Sequence, residues 1–345
     1  MTEHYHSLQI LRGIAAWLVV FYHYMQIVHG FQADSWLGDF FSSHGMLGVD
    51  LFFTLSGFIM CRCIETKAYR PFEFFIRRLF RVTPAYWAYT FLALLLIHTV
   101  NEGFFKGEYT PLSLMASLFY FSTDSPAGLG CFPTLTVGWT LNYEMLFYTI
   151  LSLSIAFGQK KAVFLCVAVL ALAPFLAPTT EACYCIWKRG DILALFVIGL
   201  LIGKMVPTVG KLVSKTRAIS CIGLFVSLTF LLPKTGETLK AKLLFCALSL
   251  LFFLLMEKYV KEELKLMRVL KAIGDFSFST YLCHVPIISL FHIFLYPSWG
   301  IQNEASFILA MSLSTLVASY ASYHLLERNK SLLNLRLIVL RKLSA

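Results

Sequence analysis

Ten stretches of about 20 mostly apolar residues recur along this chain, and no other feature constrains its fold as strongly. A helix needs about that length to cross the hydrocarbon core of a bilayer. In lipid each backbone polar group must be satisfied within its own segment, which leaves helices as the natural spanning element here. The stretches cover residues 8–28, 46–64, 82–100, 136–157, 162–177, 189–205, 216–232, 239–256, 273–295 and 303–326. Segment 112–121 is apolar but too short, and reads as an interfacial or re-entrant piece. The expected fold class is therefore all-α: a polytopic membrane protein with about ten transmembrane helices.

Composition agrees with lipid as the main solvent. Hydrophobic residues make up 58% of the chain and charged residues only 14%, against about 25% charged in soluble domains. The net charge of +10 is distributed between the apolar blocks. It reads as membrane topology and not as a nucleic-acid surface, since no basic stripe on a folded module is visible. With the N-terminus inside, the inward segments carry 21 Lys and Arg and the outward loops carry six. The outward six are Lys106, Lys188, Arg189, Lys234, Lys240 and Lys242. That asymmetry places both termini in the cytoplasm. Residues 1–345 read as one integral membrane domain with no attached soluble domain, and the first apolar run reads as a retained span. Of nine cysteines, Cys131, Cys183 and Cys185 fall in loops assigned outside, where a disulfide among them is compatible with the compartment. No cysteine or histidine spacing matches a metal site, so no metal is expected.

Ionisable groups inside apolar spans are costly unless paired or set against a wet cavity, which marks them as functional candidates. Here they are Arg12, His23, Asp50, Arg62, Glu144 and His284. Arg12 and His23 are eleven residues apart on the first span, so they share a face about 16 Å apart along the axis. At about 1.5 Å of rise per residue, His23 and Glu144 both fall in the outer half of the bilayer, with His284 near its middle. Asp50 enters from outside and is only about 6 Å deep by the same rise. Four groups suited to proton transfer thus fall at compatible depths on four spans. The other histidines, His29, His44, His98, His292 and His324, sit at or near span ends and read as interfacial.

The cytoplasmic side is different. Arg77, Arg78 and Arg81, in FFIRRLFRVTPAYW, lie where the third span is expected to begin, with Arg62 and Arg12 near the same level. Guanidinium groups present forked donors and stay charged, which suits phosphate. An anion-binding face inside and an acid–base cluster further out suit a cytosolic CoA thioester meeting an acceptor partway across the bilayer.

Six segments in order carry a resemblance to a known family: LQILRGIAAWLVVFYH, GVDLFFTLSGFIM at 48–60, FFIRRLFRVTPAYW, VGWTLNYEMLFY at 137–148, FSFSTYLCHVPI at 276–287, and HLLERN. Nearly the whole chain resembles the acyltransferase-3 family of membrane O-acyltransferases, which modify bacterial exopolysaccharides, lipopolysaccharides and related acceptors. The resemblance implies acyl-CoA as donor, acetyl-CoA by default. It implies His23 as the leading catalytic residue, with Arg12 and the third-span arginines binding or positioning the donor. It also implies a carbohydrate or glycolipid acceptor and a multi-pass location in the bacterial inner membrane. The short loops look nearest to the exopolysaccharide-type members.

On these grounds His23 is expected to act as general base on an acceptor hydroxyl, with Asp50 or Glu144 orienting the imidazole as in triad logic. Ser56 is a possible hydrogen-bond donor, and an acyl-histidine intermediate is an open alternative. The rival readings are a proton-coupled transporter, with His23, Glu144 and Asp50 as a relay, and a structural subunit of a polysaccharide assembly complex. No inverted repeat of the transporter kind is visible. The acyl group, the acceptor sugar and the oligomeric state are not encoded in any readable pattern.

Overall fold

A computed structural model of the chain describes residues 5–342, apart from 33, 103–105, 125–127, 129, 177–185, 213–237, 261–263 and 301–302. The expected span 216–232, together with Cys183, Cys185 and Cys221, lies outside the described residues. Cys131 is disulfide-bonded.

The described residues are helical except for turns and a ribbon that pairs Thr123–Asp124 antiparallel with Cys131–Phe132. In chain order the helices are α1 (His6–His29), α2 (Trp36–His44), α3 (Leu47–Thr66), α4 (Pro71–Thr99) and α5 (Pro111–Leu118). They continue with α6 (Trp139–Ala156), α7 (Gln159–Leu176), α8 (Gly190–Leu212), α9 (Leu239–Met256) and α10 (Lys265–Asp275). The last three are α11 (Ser277–Phe294), α12 (Glu304–Ser322) and α13 (Lys330–Lys342). Among the described residues, nine of the ten expected spans coincide with helices, and seven segments are long and apolar enough to cross a bilayer. Segment 112–121 forms only the eight-residue α5, too short to span. The outer surface is apolar where lipid would lie: Phe164, Phe175 and Leu176 on α7 are 75%, 85% and 80% exposed. A continuous exposed apolar surface of this kind marks a membrane-facing wall.

Three expected boundaries change. The helix of the third expected span, α4, starts at Pro71, not near residue 82. The fixed φ of proline suits a first helical position, where its missing N–H costs nothing. Arg77, Arg78 and Arg81 therefore lie inside the helix, with Arg77 and Arg81 on one face. The stretch 273–295 breaks at Phe276 into α10 and α11. The last span passes through a π-helical turn, Tyr323–Glu327, into the separate helix α13.

Both ends of α1 are capped, and the first is tied to another element. The first N–H groups of a helix have no partner within it. Here the N–H groups of His6 and Ser7 donate to the two carboxylate oxygens of Glu257 at 2.9 and 2.8 Å, and the Ser7 hydroxyl adds a bond of 2.6 Å. The negative charge also complements the positive end of the helix dipole. At the other end Gly30 takes the left-handed conformation, φ 55°, and its N–H returns to the carbonyl of Met25. Along its length α1 packs against α3, α10 and α11. Gly13 lies against Gly274 of α10, and Gly274 against the backbone of Gln9. Gly48 of α3 lies against Ala15 and Val19.

Helices α3 and α8 pack in the same way. Gly57 sits against the Phe196 carbonyl, and Gly199 against the carbonyl of Thr54. Small residues at such a crossing let backbones approach closely, which is how helices associate in lipid. Gly57→Leu and Gly199→Leu should each cost about 1–3 kcal/mol by overpacking. Thermal melts of the purified protein in detergent test this; an unchanged melting temperature for both would mean the crossing is not a tight contact.

Candidate active site

The four expected proton-transfer residues separate into three places. His23 and His284 meet. Their rings lie 4.9 Å apart, and His23 Nδ1 is 3.1 Å from His284 Nε2. His23 Nδ1 is also 3.0 Å from the Val19 carbonyl, and His284 Nδ1 is 3.2 Å from the Thr280 carbonyl. A carbonyl only accepts, so the Thr280 contact puts the His284 proton on Nδ1 and leaves its Nε2 as an acceptor. His23 Nδ1–H then donates to His284 Nε2 and to Val19. The arrangement leaves the His23 Nε2 lone pair available as a base. His284 is fully buried, while His23 is half-buried.

Glu144 is elsewhere. It accepts from the Ser56 hydroxyl at 2.8 Å and from the hydroxyl of Tyr148, one turn along α6. Asp50 lies apart from both groups, its Oδ2 4.0 Å from Lys242 Nζ on α9. Among the described residues, neither carboxylate bonds to His23; the partner of His23 is His284. Depth along a span sets the level of a side chain but not the direction it faces, which is why four compatible depths resolved into three clusters. Ser56 is a hydrogen-bond donor, as the sequence allowed. Glu327 accepts from Ser279 at 2.6 Å, and the Arg328 guanidinium lies 5.8 Å over the Tyr323 ring.

Glu144, Ser56 and Tyr148 line a cavity of about 350 Å³, which also receives Arg12, Arg62, Arg78 and Arg81. Its walls between these groups are apolar, with Leu55, Phe58, Ile59 and Val82 among them. A second cavity of about 330 Å³ shares Gln9, Arg12, Arg78 and Arg81 with the first and adds Arg77. All five expected arginines therefore face one or both cavities.

The histidine pair does not line either cavity. Thr140, Phe52 and Tyr281 also line the first cavity. The Tyr281 ring is 5.7 Å from His284 on one side, and Phe52 packs edge-on against it at 5.8 Å. The Tyr281 hydroxyl donates to the Val137 carbonyl at 3.0 Å and accepts from Thr140 at 3.0 Å, which holds the ring in place. An aromatic layer thus stands between the arginine-lined cavity and the imidazoles. The sequence reading did not single out Tyr148, Thr140, Tyr281 or Phe52. Three carried a usable signal: Thr140 and Tyr148 lie four residues before and after Glu144, and Tyr281 lies three before His284, so each shares a helix face with a flagged residue.

The profile of the family described as "Acyltransferase domain" matches residues 5–324. The chain belongs to this acyltransferase-3 family. It is similar to the exopolysaccharide production protein ExoZ of Rhizobium meliloti (strain 1021), with 33% identity over 46% of this chain and 50% of that protein. It is also similar to BcsY of Komagataeibacter xylinus, described as a "putative membrane-bound transacylase", with 24% identity over 92% of this chain and 81% of that protein. The chain thus spans about half the length of the first relative. No solved structure matches it significantly. Family membership and the apolar helices together make this a multi-pass membrane protein of the acyltransferase-3 family.

The Glu144 cluster is a partly buried carboxylate held by two hydroxyl donors. Removing both leaves acceptor oxygens without partners, at about 1–3 kcal/mol. The Ser56→Ala, Tyr148→Phe double variant should lose that much stability, and most of the loss should vanish in a Glu144→Leu background. Thermal melts across this cycle check the coupling; additive losses would mean the three groups do not act as one network.

Proposed function

We propose that this acyltransferase moves an acyl group, acetyl by default, from acyl-CoA to a hydroxyl of an exopolysaccharide or its lipid-linked precursor, with His23 as the general base. The observation that carries the reading is the His23–His284 pair at 3.1 Å, at the far side of an aromatic layer from a cavity lined by arginines. The residues fit the donor's chemistry. Arginine forks match phosphate oxygens, and the apolar walls beyond them suit a neutral, flexible thioester arm. Glu144, Ser56 and Tyr148 lie in the same cavity and would position the acyl end. The names of the two relatives, one for exopolysaccharide production and one for transacylation, support the acceptor class and the reaction class. The arginine-lined end is assigned to the cytoplasm by the loop charges, and the membrane to the bacterial inner membrane.

In this reading His23 Nε2 takes the proton of the acceptor hydroxyl as its oxygen attacks the thioester carbonyl. The C–S bond breaks, and the proton leaves His23 with the departing thiolate. While His23 is protonated, its Nδ1–H is held by two acceptors, His284 Nε2 and the Val19 carbonyl, which stabilises the cation and keeps the ring aimed. His284 thus has the positioning role that a carboxylate has in the familiar triad. Phe52 and Tyr281 must move aside for the acyl group to reach His23, so the layer also limits water and donor leakage between the two sides. Asp50, placed against Lys242, has no step in this mechanism.

The test uses purified protein in lipid nanodiscs, labelled acetyl-CoA and candidate glycolipid acceptors. Wild type should label the acceptor. His23→Gln should fall by at least about 10²-fold, the usual worth of a general base, with unchanged expression and insertion. His284→Ala should fall by a factor between about 10 and 10⁴, the range seen when an orienting partner is lost. Near-normal transfer by His23→Gln would remove it from the mechanism. Transfer of label to no acceptor, with pH-coupled solute movement instead, would replace the enzyme with a transporter.

A further inference from the structure

We infer that the C-terminal segment is part of the donor site: Arg328 and Arg336 complete, with Arg77, Arg78, Arg81 and Arg12, a pocket for the phosphate groups of the CoA donor. This rests on the acyl-CoA reading above and extends it to residues beyond the family-like arginines of α1 and α4.

The placement begins with the chain path. After α12 the π-helical turn Tyr323–Glu327 carries the backbone into α13, which packs along α4. Leu332 and Leu333 of α13 line the second cavity, and Leu340 is buried. The turn and the helix bring Arg328 and Arg336 into the same cavity lining as the α4 arginines. Neither was flagged by its sequence position, where each reads as an ordinary positive charge beside the last span.

Charge is the first argument. Six arginines line this cavity against two carboxylates, Asp275 and Glu327. Glu327 is already engaged by Ser279, and Arg77 turns its Nε to Glu73 at 2.8 Å, outside the cavity lining. Like charges gathered this closely in a partly desolvated space repel unless an anion joins them. The second argument is hydrogen bonding. The Nε atoms of Arg78 on α4 and Arg336 on α13, which line the same cavity, are buried without a hydrogen-bond partner among the described residues. Buried donors lacking an acceptor are uncommon in folded proteins, and each asks for an explanation. A phosphate in that cavity would supply acceptors to both. Arg328, stacked on the Tyr323 ring, keeps the edge of its guanidinium for such a ligand. The third argument is continuity. This cavity shares Arg12, Arg78 and Arg81 with the one that leads to Glu144. A ligand with phosphates at one end and a long uncharged arm would occupy both in sequence.

A phosphate could also come from an anionic lipid headgroup, since α13 is basic and carries exposed Leu335, Leu337 and Ile338. The experiment separates the two sources. Arg328→Gln, Arg336→Gln and Arg336→Lys are prepared in nanodiscs of neutral lipid and of neutral lipid mixed with anionic lipid. Binding of adenosine 3′,5′-bisphosphate, a phosphate-bearing fragment of the donor, is measured by titration. Transfer is measured with acetyl-CoA and with S-acetyl-N-acetylcysteamine, a thioester without phosphate. Arg336→Gln and Arg328→Gln should each weaken bisphosphate binding by about tenfold or more. Each should lower the preference for acetyl-CoA over the short thioester by a similar factor, mainly through KM. Arg336→Lys should recover only part, because an ammonium lacks the fork. Melting curves confirm that the variants fold, and a variant that fails to fold is replaced by its lysine counterpart. Unchanged bisphosphate binding, or equal loss with both thioesters, overturns the assignment while leaving the acyl-CoA reading intact. Effects confined to anionic nanodiscs overturn it in favour of a headgroup site. If wild type turns over neither thioester and binds no bisphosphate, the acyl-CoA reading itself falls.

Discussion

The way α1 is pinned determines where the chemistry can occur. One helix carries both Arg12 and His23, so a small rotation or slide would move the arginine out of the cavity and the imidazole away from His284. Three contacts prevent this. Glu257 satisfies the first N–H groups of α1 and opposes its dipole. Gly13 and Gly274 let α1 and α10 approach closely enough that axial sliding meets backbone on both sides. Gly48 does the same for α3 against Ala15 and Val19. In lipid, where apolar burial does little to hold helices together, such close backbone packing and polar pairing carry much of the association.

That fixed helix joins two different environments. At its N-terminal end Arg12 faces a polar space crowded with guanidinium groups. Eleven residues on, His23 lies against a fully buried imidazole, in a region where an unpaired charge would be expensive. The two histidines answer that cost without any formal charge: each Nδ1–H has a backbone carbonyl, and the one remaining contact runs from donor to acceptor. A carboxylate in the place of His284 would be a stronger partner for a protonated His23 but would be a lone anion whenever His23 was neutral. A neutral imidazole avoids that penalty and still accepts a bond from the cation.

Much of this was legible in the sequence, and the parts that were not share a cause. The helical class, the short α5 and the common face of Arg12 and His23 follow from span length and from the 3.6-residue repeat. His284 was found because an ionisable residue stands out in an apolar run. Its pairing with His23, and the separation of Glu144 and Asp50 from both, depend on the rotation of four helices about their own axes. Apolar faces turned to lipid and apolar faces turned to the bundle look alike in a sequence, so that rotation leaves little periodic signal. The start of α4 at Pro71 was missed because arginines conventionally end a span, whereas here they form its first turns and face a polar cavity. The break at Phe276 was missed because the apolar run continues through it.

On the proposed function, donor and acceptor come from opposite sides of the membrane and must meet without opening a pore. The aromatic layer of Phe52 and Tyr281 meets this requirement in physical terms. Tyr281 is anchored by two hydrogen bonds at its hydroxyl, yet its ring borders the cavity on one side and His284 on the other. An aromatic side chain with a fixed polar tip and an apolar body seals a narrow passage against hydrated ions while remaining displaceable by an acyl group of similar polarity. On that reading the large, charged part of the donor need never cross: the arginines that would hold it lie at one end, and the distance from Arg12 to His23, about 16 Å along α1, would be spanned by the uncharged arm. The proposed separation of charge recognition from catalysis along one helix would thus follow from the cost of placing phosphate in hydrocarbon.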